Sequence, residues 1–174
     1  MAHQRILILD FGSQYTQLIA RRVRELNVYS EIIPWHAYEG LNDDIQGVIL
    51  SGSPHSVRDE DAPKPDLSTM LDQVPVLGVC YGAQYLAQTH GGSVEASNTR
   101  EYGRAHLAEV DTTDDLLKGM SAQSQVWMSH GDTILSLGSG FETICSTHDV
   151  KFAGFRDVNR PAWGIQFHPE VWHS

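Results

Sequence analysis

Cysteine is scarce in this chain. Cys80 and Cys145 are the only two, with no Cys-x-x-Cys pair and no histidine at zinc-ligand spacing. That pattern excludes a disulfide scaffold and a structural metal centre, so no metal is expected and a reducing compartment suits the thiols. Positive charge is scarce too: 12 Lys and Arg stand against 22 Asp and Glu, for a formal net charge of -10. A surface this acidic repels phosphate backbones and anionic lipid, so neither a nucleic acid nor a membrane is an expected partner. The one local cluster, Arg21, Arg22 and Arg24, has the spacing of a solvated helix face. Long apolar runs are missing as well. The first, at residues 6–9, is too short for the apolar stretch of a signal peptide, and no run approaches a membrane span. A cytoplasmic protein is the expectation. Finally, no glycine is followed by lysine anywhere, which removes the Gly-Lys-Ser/Thr phosphate loop.

What is present fits one globular domain over residues 1–174, with 41% hydrophobic and 20% charged residues. No repeat, low-complexity tract or linker interrupts it. Residues 5–10 read as a buried strand, and Ser13 as a cap for the helix predicted over 15–26, where Leu18, Ile19, Val23 and Leu26 recur at helical spacing. Strands are predicted at 28–35, 47–50 and 74–79, and helices at 66–73 and 81–90, with loops at 51–54 and 55–65. Such alternation predicts an α/β fold with a mostly parallel sheet. Beyond Ser93 the pattern changes to strands and turns, with strands at 126–128, 133–137, 142–146 and 162–167 and a short helix at 114–120.

The most informative stretch is Gly78-Val79-Cys80-Tyr81-Gly82-Ala83-Gln84, where a buried strand runs through Gly-x-Cys-x-Gly into a helix. This is the thiol form of the nucleophile elbow, a sharp turn that lifts the nucleophile out of the sheet. The two glycines crowd each other, and a Cβ at either would hinder the turn. A cysteine at a helix N-terminus is favoured as thiolate, and the Tyr81 N–H points to where an oxyanion would form. The plainer alternative, a small buried core cysteine, is what most free cysteines are.

A thiolate nucleophile needs a base, and Gln166-Phe167-His168-Pro169-Glu170 offers one. Pro169 disfavours helix at His168, so an extended chain is expected, with positions i and i+2 on one side about 6.6 Å apart. Glu170 can then hold one ring nitrogen of His168 while the other faces Cys80, the logic of a nucleophile triad. Alone, the His-Pro-Glu tripeptide fits a surface turn equally well; the elbow gives it weight.

Together, Gly-Val-Cys-Tyr-Gly-Ala-Gln and the later Phe-His-Pro-Glu-Val resemble the class I (triad) glutamine amidotransferases over essentially the whole chain. The segments Ile8 to Tyr15, Trp127 to Asp132 and Phe167 to Ser174 resemble, more narrowly, the GMP-synthase branch of that family. The resemblance implies a three-layer, flavodoxin-like α/β fold with a smaller antiparallel portion. It implies hydrolysis of glutamine through Cys80, His168 and Glu170, with the ammonia passed to an ATP pyrophosphatase (synthetase) domain or subunit that aminates XMP. It also implies a second oxyanion donor from the backbone of Gly52 and Ser53, beside Tyr81. Ser53 is a departure, because the family usually has glycine there, and a serine would resist a backbone flip or positive φ. Glutamine binding would fall to Gln84 and to the backbone of Ser129, Gly131 and Asp132, although Gln84 reads equally well as an exposed helix residue.

The pyrophosphatase signature Ser-Gly-Gly-x-Asp-Ser does not occur in these 174 residues, so no cofactor is expected in this domain, and ATP and Mg²⁺ are expected on the partner. His130 reads as a polar loop residue, His36, His55, His90, His106, His148 and His173 as surface or loop, and Cys145 as core. Three alternatives stay open: an amidotransferase of the anthranilate-synthase or carbamoyl-phosphate-synthetase type, a non-catalytic flavodoxin-like binding module, and a cysteine peptidase on a related elbow.

Overall fold

The computed structural model describes residues 3–172 and 174, with side chains at all of these except 99–101. His173, read above as a surface residue, lies outside the described residues. The apolar runs near the N-terminus form β1 (Arg5–Asp10), β2 (Tyr29–Pro34), β3 (Ile45–Leu50) and β4 (Val76–Val79), with helices α1 (Thr16–Glu25), α2 (Ser68–Gln73) and α3 (Tyr81–Thr89) between them. A single 3-10 turn, not expected from the sequence, follows β2 at Trp35–Ala37. The second half supplies β5 (Ser93–Val110), β6 (Gln125–Ser136), β7 (Phe141–Thr147), β8 (Gly154–Asp157) and β9 (Ala162–Ile165).

Among the described residues, nine strands join one sheet in the order β2-β1-β3-β4-β9-β8-β7-β5-β6. The first five in that order run parallel, and every pairing from β9 outward is antiparallel. The antiparallel part is thus continuous with the parallel part and nearly equal to it in strand number. Helices cover both faces, as burial of a parallel sheet requires. Leu7, Leu9 and Leu50 face Ala83, Leu86 and Ala87 of α3, whereas Ile8 on the opposite side of β1 meets Ile19 and Ala20 of α1. A further core of Val79, Leu107, Val126, Ile144, Cys145 and Ile165 lies under the antiparallel half. Among the described residues, no helix is long and apolar enough to cross a membrane.

Several expectations are corrected. The helix predicted at 114–120 is a series of turns. Asp111 and Asp114 each accept a backbone N–H two residues ahead, from Thr113 at 3.0 Å and Leu116 at 2.9 Å, and these local bonds replace the helical ladder. Ser13 is not the cap of α1: that helix begins at Thr16 and has no side-chain cap, while Ser13 Oγ accepts the Tyr15 N–H at 3.0 Å. Leu26, placed on the apolar face of α1, is 77% exposed because the helix has already ended at Glu25. The two strands predicted at 126–128 and 133–137 are one, β6, which passes through Gly131 without a break. β8, whose Gly-Phe-Arg-Asp sequence has no alternating pattern, was not anticipated.

Candidate active site

Cys80 sits between β4 and α3 with φ 54° and ψ -107°, a left-handed backbone for a non-glycine residue. Such strain is held only where the surroundings over-determine it. Here the Cys80 N–H donates to Ile165 O at 2.8 Å, the Cys80 carbonyl accepts Gln84 N–H at 3.0 Å, and Gly82 N–H donates to Ser51 O at 3.2 Å. The flanking glycines are sterically required. A Cβ on Gly78 would lie 2.6 Å from the Gly82 carbonyl carbon, and one on Gly82 would lie 2.5 Å from Leu50 O. Tyr81 takes the first helical position, where an N–H has no intrahelical acceptor. Its ring is buried and its hydroxyl donates to Pro63 O, with burial pushing the phenol well above its usual range.

The parallel pairing of β4 with β9, with Val79 opposite Ile165, carries the far end of the chain to the elbow. His168 is 3% exposed, and its Nδ1 lies 2.6 Å from Glu170 Oε1, itself on a 3% exposed residue. Cys80 lines the same cavity as this ring, near enough for the two groups to act on each other's charge. Burial alone would lower the His168 pKa, but hydrogen bonds to Cys80 and Glu170, and the attraction of their charges, outweigh it and push it up to about 10. Tyr15 meets the same ring edge to face at 5.1 Å, and a Cβ on Gly52 would come within 3.3 Å of His168 Cε1. Arg22 Nε donates to Glu170 O at 3.3 Å, so this arginine is not purely part of a solvated face.

The predicted extended chain at His168 is not what forms. β9 stops at Ile165, and His168 to Val171 make a turn in which Val171 N–H donates to His168 O at 3.3 Å. Proline is favoured at the second position of such a turn, and Pro169 occupies it. The turn brings Glu170 back onto His168 as an extended chain was expected to do.

A cavity of about 460 Å³ opens above the thiol. It is lined by Gly52, Ser53, Cys80, Gln84, Ser129, Gly131, Asp132 and His168, so every residue named for the site reaches it except Tyr81 and Glu170, which lie beneath. Cys80 Sγ is 3.6 Å from Ser129 O. Neither Gly52 nor Ser53 has positive φ, and Ser53 Oγ accepts His55 N–H at 3.1 Å, so serine fits this loop without strain. Gln84, left open between two readings, is buried at 3% exposure with its side chain bonded on both sides. His130 is not a loop residue but a buried one within β6; its Nδ1 is 2.6 Å from Asp132 O, and burial lowers its pKa. Cys145 is core, and burial pushes its thiol up to about 12.

Tyr15, Tyr102, Ser56 and Gln166 were not singled out from the sequence. Ser56 Oγ donates to Asp132 Oδ2, tying the loop after β3 to β6, and Tyr102 stands 61% exposed at the cavity mouth. Only Gln166 carried a signal, as an uncharged polar residue in the middle of an apolar strand pattern. His55, Asp59 and Asp61 cluster, all on the exposed surface, although their spacing had suggested no such group.

Residues 7–174 match the family described as Glutamine amidotransferase class-I, and the chain belongs to that family, a family of enzymes. Within it, the chain is similar to proteins described as GMP synthase [glutamine-hydrolyzing]. It is 58% identical to that of Cytophaga hutchinsonii over 98% of this chain and 34% of the relative. It is 56% identical to that of Phocaeicola vulgatus over 98% and 33%. It therefore spans about a third of the length of the curated relatives it matches. Among solved structures, one from Thermoplasma acidophilum, described as a candidate GMP synthase subunit, superposes with TM-score 0.82 at 29% identity, covering 99% of this chain and 87% of that one. A glutamine amidotransferase from Thermotoga maritima shares the fold with TM-score 0.78 at 24% identity, over 98% and 78% of the two chains.

Proposed function

We propose that this chain hydrolyses glutamine to glutamate and ammonia through a covalent thioester on Cys80, and that the ammonia serves a synthetase domain or subunit that aminates XMP to GMP. The observation that carries the reading is the relay from Cys80 to His168 to Glu170, closed at 2.6 Å on its carboxylate side and set over a strained elbow. The Cys80 sulfur attacks the carboxamide carbon of glutamine, and the tetrahedral oxyanion is received by the Tyr81 N–H and the Gly52–Ser53 backbone. As the C–N bond breaks, His168 gives its proton to the departing ammonia, leaving the γ-glutamyl thioester. His168 then takes a proton from water, whose oxygen attacks the thioester and releases glutamate and the thiolate. Glu170 keeps the imidazole oriented and stabilises its charge. Identity of 58% with a glutamine-hydrolysing GMP synthase supports the pathway, and the partner by this reading supplies the ATP and Mg²⁺ site.

Labelling with 6-diazo-5-oxo-L-norleucine, a glutamine-shaped electrophile, followed by peptide mapping is the direct test. The expected result is one adduct, on Cys80, with labelling and glutaminase activity both absent in Cys80→Ser. An unlabelled Cys80 in a folded sample would remove the enzymatic reading. Free ammonia is wasted without an acceptor, so the chain alone is expected to turn over glutamine slowly. A GMP-synthase pyrophosphatase part with ATP and XMP should stimulate it at least about ten-fold, a coupling free energy in the usual range. Full activity in isolation would rule out this gating.

A further inference from the structure

Gln84 has two N–H donors, and the protein uses both. Its Nε2 lies 3.2 Å from Asp132 O and 3.2 Å from Gln166 Oε1. A backbone carbonyl can only accept, so the first bond engages one N–H of Gln84 but does not by itself hold the amide plane. The second bond locks it, because Gln166 is fully buried and presents its own acceptor oxygen. Gln166 holds this orientation at a cost: its Nε2 is buried with no hydrogen-bond partner among the described residues. Orphaned amide donors are rare in folded proteins and call for an explanation. The opposite orientation of Gln166 would set N–H against N–H. The orphan is thus the consequence of serving Gln84.

The result is that Gln84, whose Nε2 is taken up on both sides, has its carbonyl Oε1 left for the cavity it lines beside Cys80, with no donor to it among the described residues. Gln84 stands one helical turn beyond the nucleophile, about 6 Å along the chain surface. With a carboxamide carbon at Cys80, the donor of glutamine at that reach is its α-ammonium. The nearby Asp132 carboxylate is already engaged by Ser56 Oγ, with Arg58 3.7 Å away.

We propose that Gln166 is a positioning residue for substrate recognition: it fixes the Gln84 amide so that Oε1 receives the α-ammonium of glutamine. The inference rests on the amidotransferase reading above and deepens it. Gln166 touches no reacting atom. Its substitution should therefore change recognition of the amino-acid end and leave the thiol's chemistry alone.

The test compares two electrophiles on Cys80 of the whole chain. The first, 6-diazo-5-oxo-L-norleucine, carries the α-ammonium; the second, iodoacetamide, does not. In Gln166→Met, the concentration of the glutamine mimic giving half-maximal labelling should rise about ten-fold, the usual effect of losing one hydrogen bond to a charged group. Its maximal labelling rate, and the iodoacetamide rate, should stay within about two-fold. Gln84→Met should show the same selective loss, and Gln166→Met should add nothing in that background, since it acts only through Gln84. Parallel slowing with both reagents would mean packing damage and overturn the proposal. Unchanged half-saturation by the mimic would overturn it too, as would additive losses in the double variant. Failure of the wild-type chain to react with the mimic at all is a separate result, which removes the amidotransferase reading and this inference with it.

Discussion

His168 is the residue whose environment speaks most directly to behaviour. Its pKa is pushed from an ordinary 6.5 up to about 10, with burial opposing and the bonds to Cys80 and Glu170 prevailing. A group raised on folding contributes stability that is complete below its unfolded pKa, near 6.5, and is lost as pH climbs through its folded value, near 10. In the proposed mechanism the same proton is the one handed to departing ammonia. Glutaminase kcat/KM should therefore fall on the alkaline side as pH rises through about 10, rather than near 6.5 as for a free imidazole. Replacing Glu170 with Gln removes one of the charges holding that proton, so the alkaline limb should move to lower pH. Measuring kcat/KM from pH 6 to 11 for both proteins decides it; identical limbs would show that Glu170 does not support the imidazolium.

At the level of elements, the elbow is governed by two absent side chains. In Gly82→Ala the new methyl would meet backbone, Leu50 O at 2.5 Å, which no rotamer change relieves. The expected loss is about 3 kcal/mol or more, read as a lower urea midpoint with unchanged slope, alongside loss of activity. A variant of wild-type stability would show that the strand-to-helix turn has room to spare. The elbow was legible in the sequence because Gly-x-Cys-x-Gly joins a steric demand to a chemical one, and β1, β4 and α3 because their apolar patterns are long and clean. The Cys80, His168 and Glu170 grouping was legible for the same reason. What was not legible has physical causes. Asp111 and Asp114 dissolved a helix through bonds that apolar periodicity does not register. The turn at Pro169 is a local one that the bias of a pre-proline residue towards extended backbone does not reveal, and the short β8 is held by pairing with β7 and β9 rather than by a pattern of its own. The Gln84–Gln166 pair joins residues 82 positions apart and lies beyond any local pattern.

Over the whole molecule, the fold places its last strand in the interior of the sheet. β9 lies between β4 and β8, joining the parallel and antiparallel halves, and His168 follows shortly behind it. Removing β9 would divide the sheet rather than trim an edge. Loss of glutaminase activity and loss of far-ultraviolet circular dichroism should therefore trace one urea transition, as two-state behaviour requires. Activity vanishing well before the sheet melts would show that β9 detaches by itself. The same placement bears on manufacture in the cell. While the chain is still being made, Cys80 emerges long before His168, so under the proposed mechanism a nascent or clipped copy carries a silent warhead. If the proposed mechanism holds, glutamine is spared from any molecule that lacks His168.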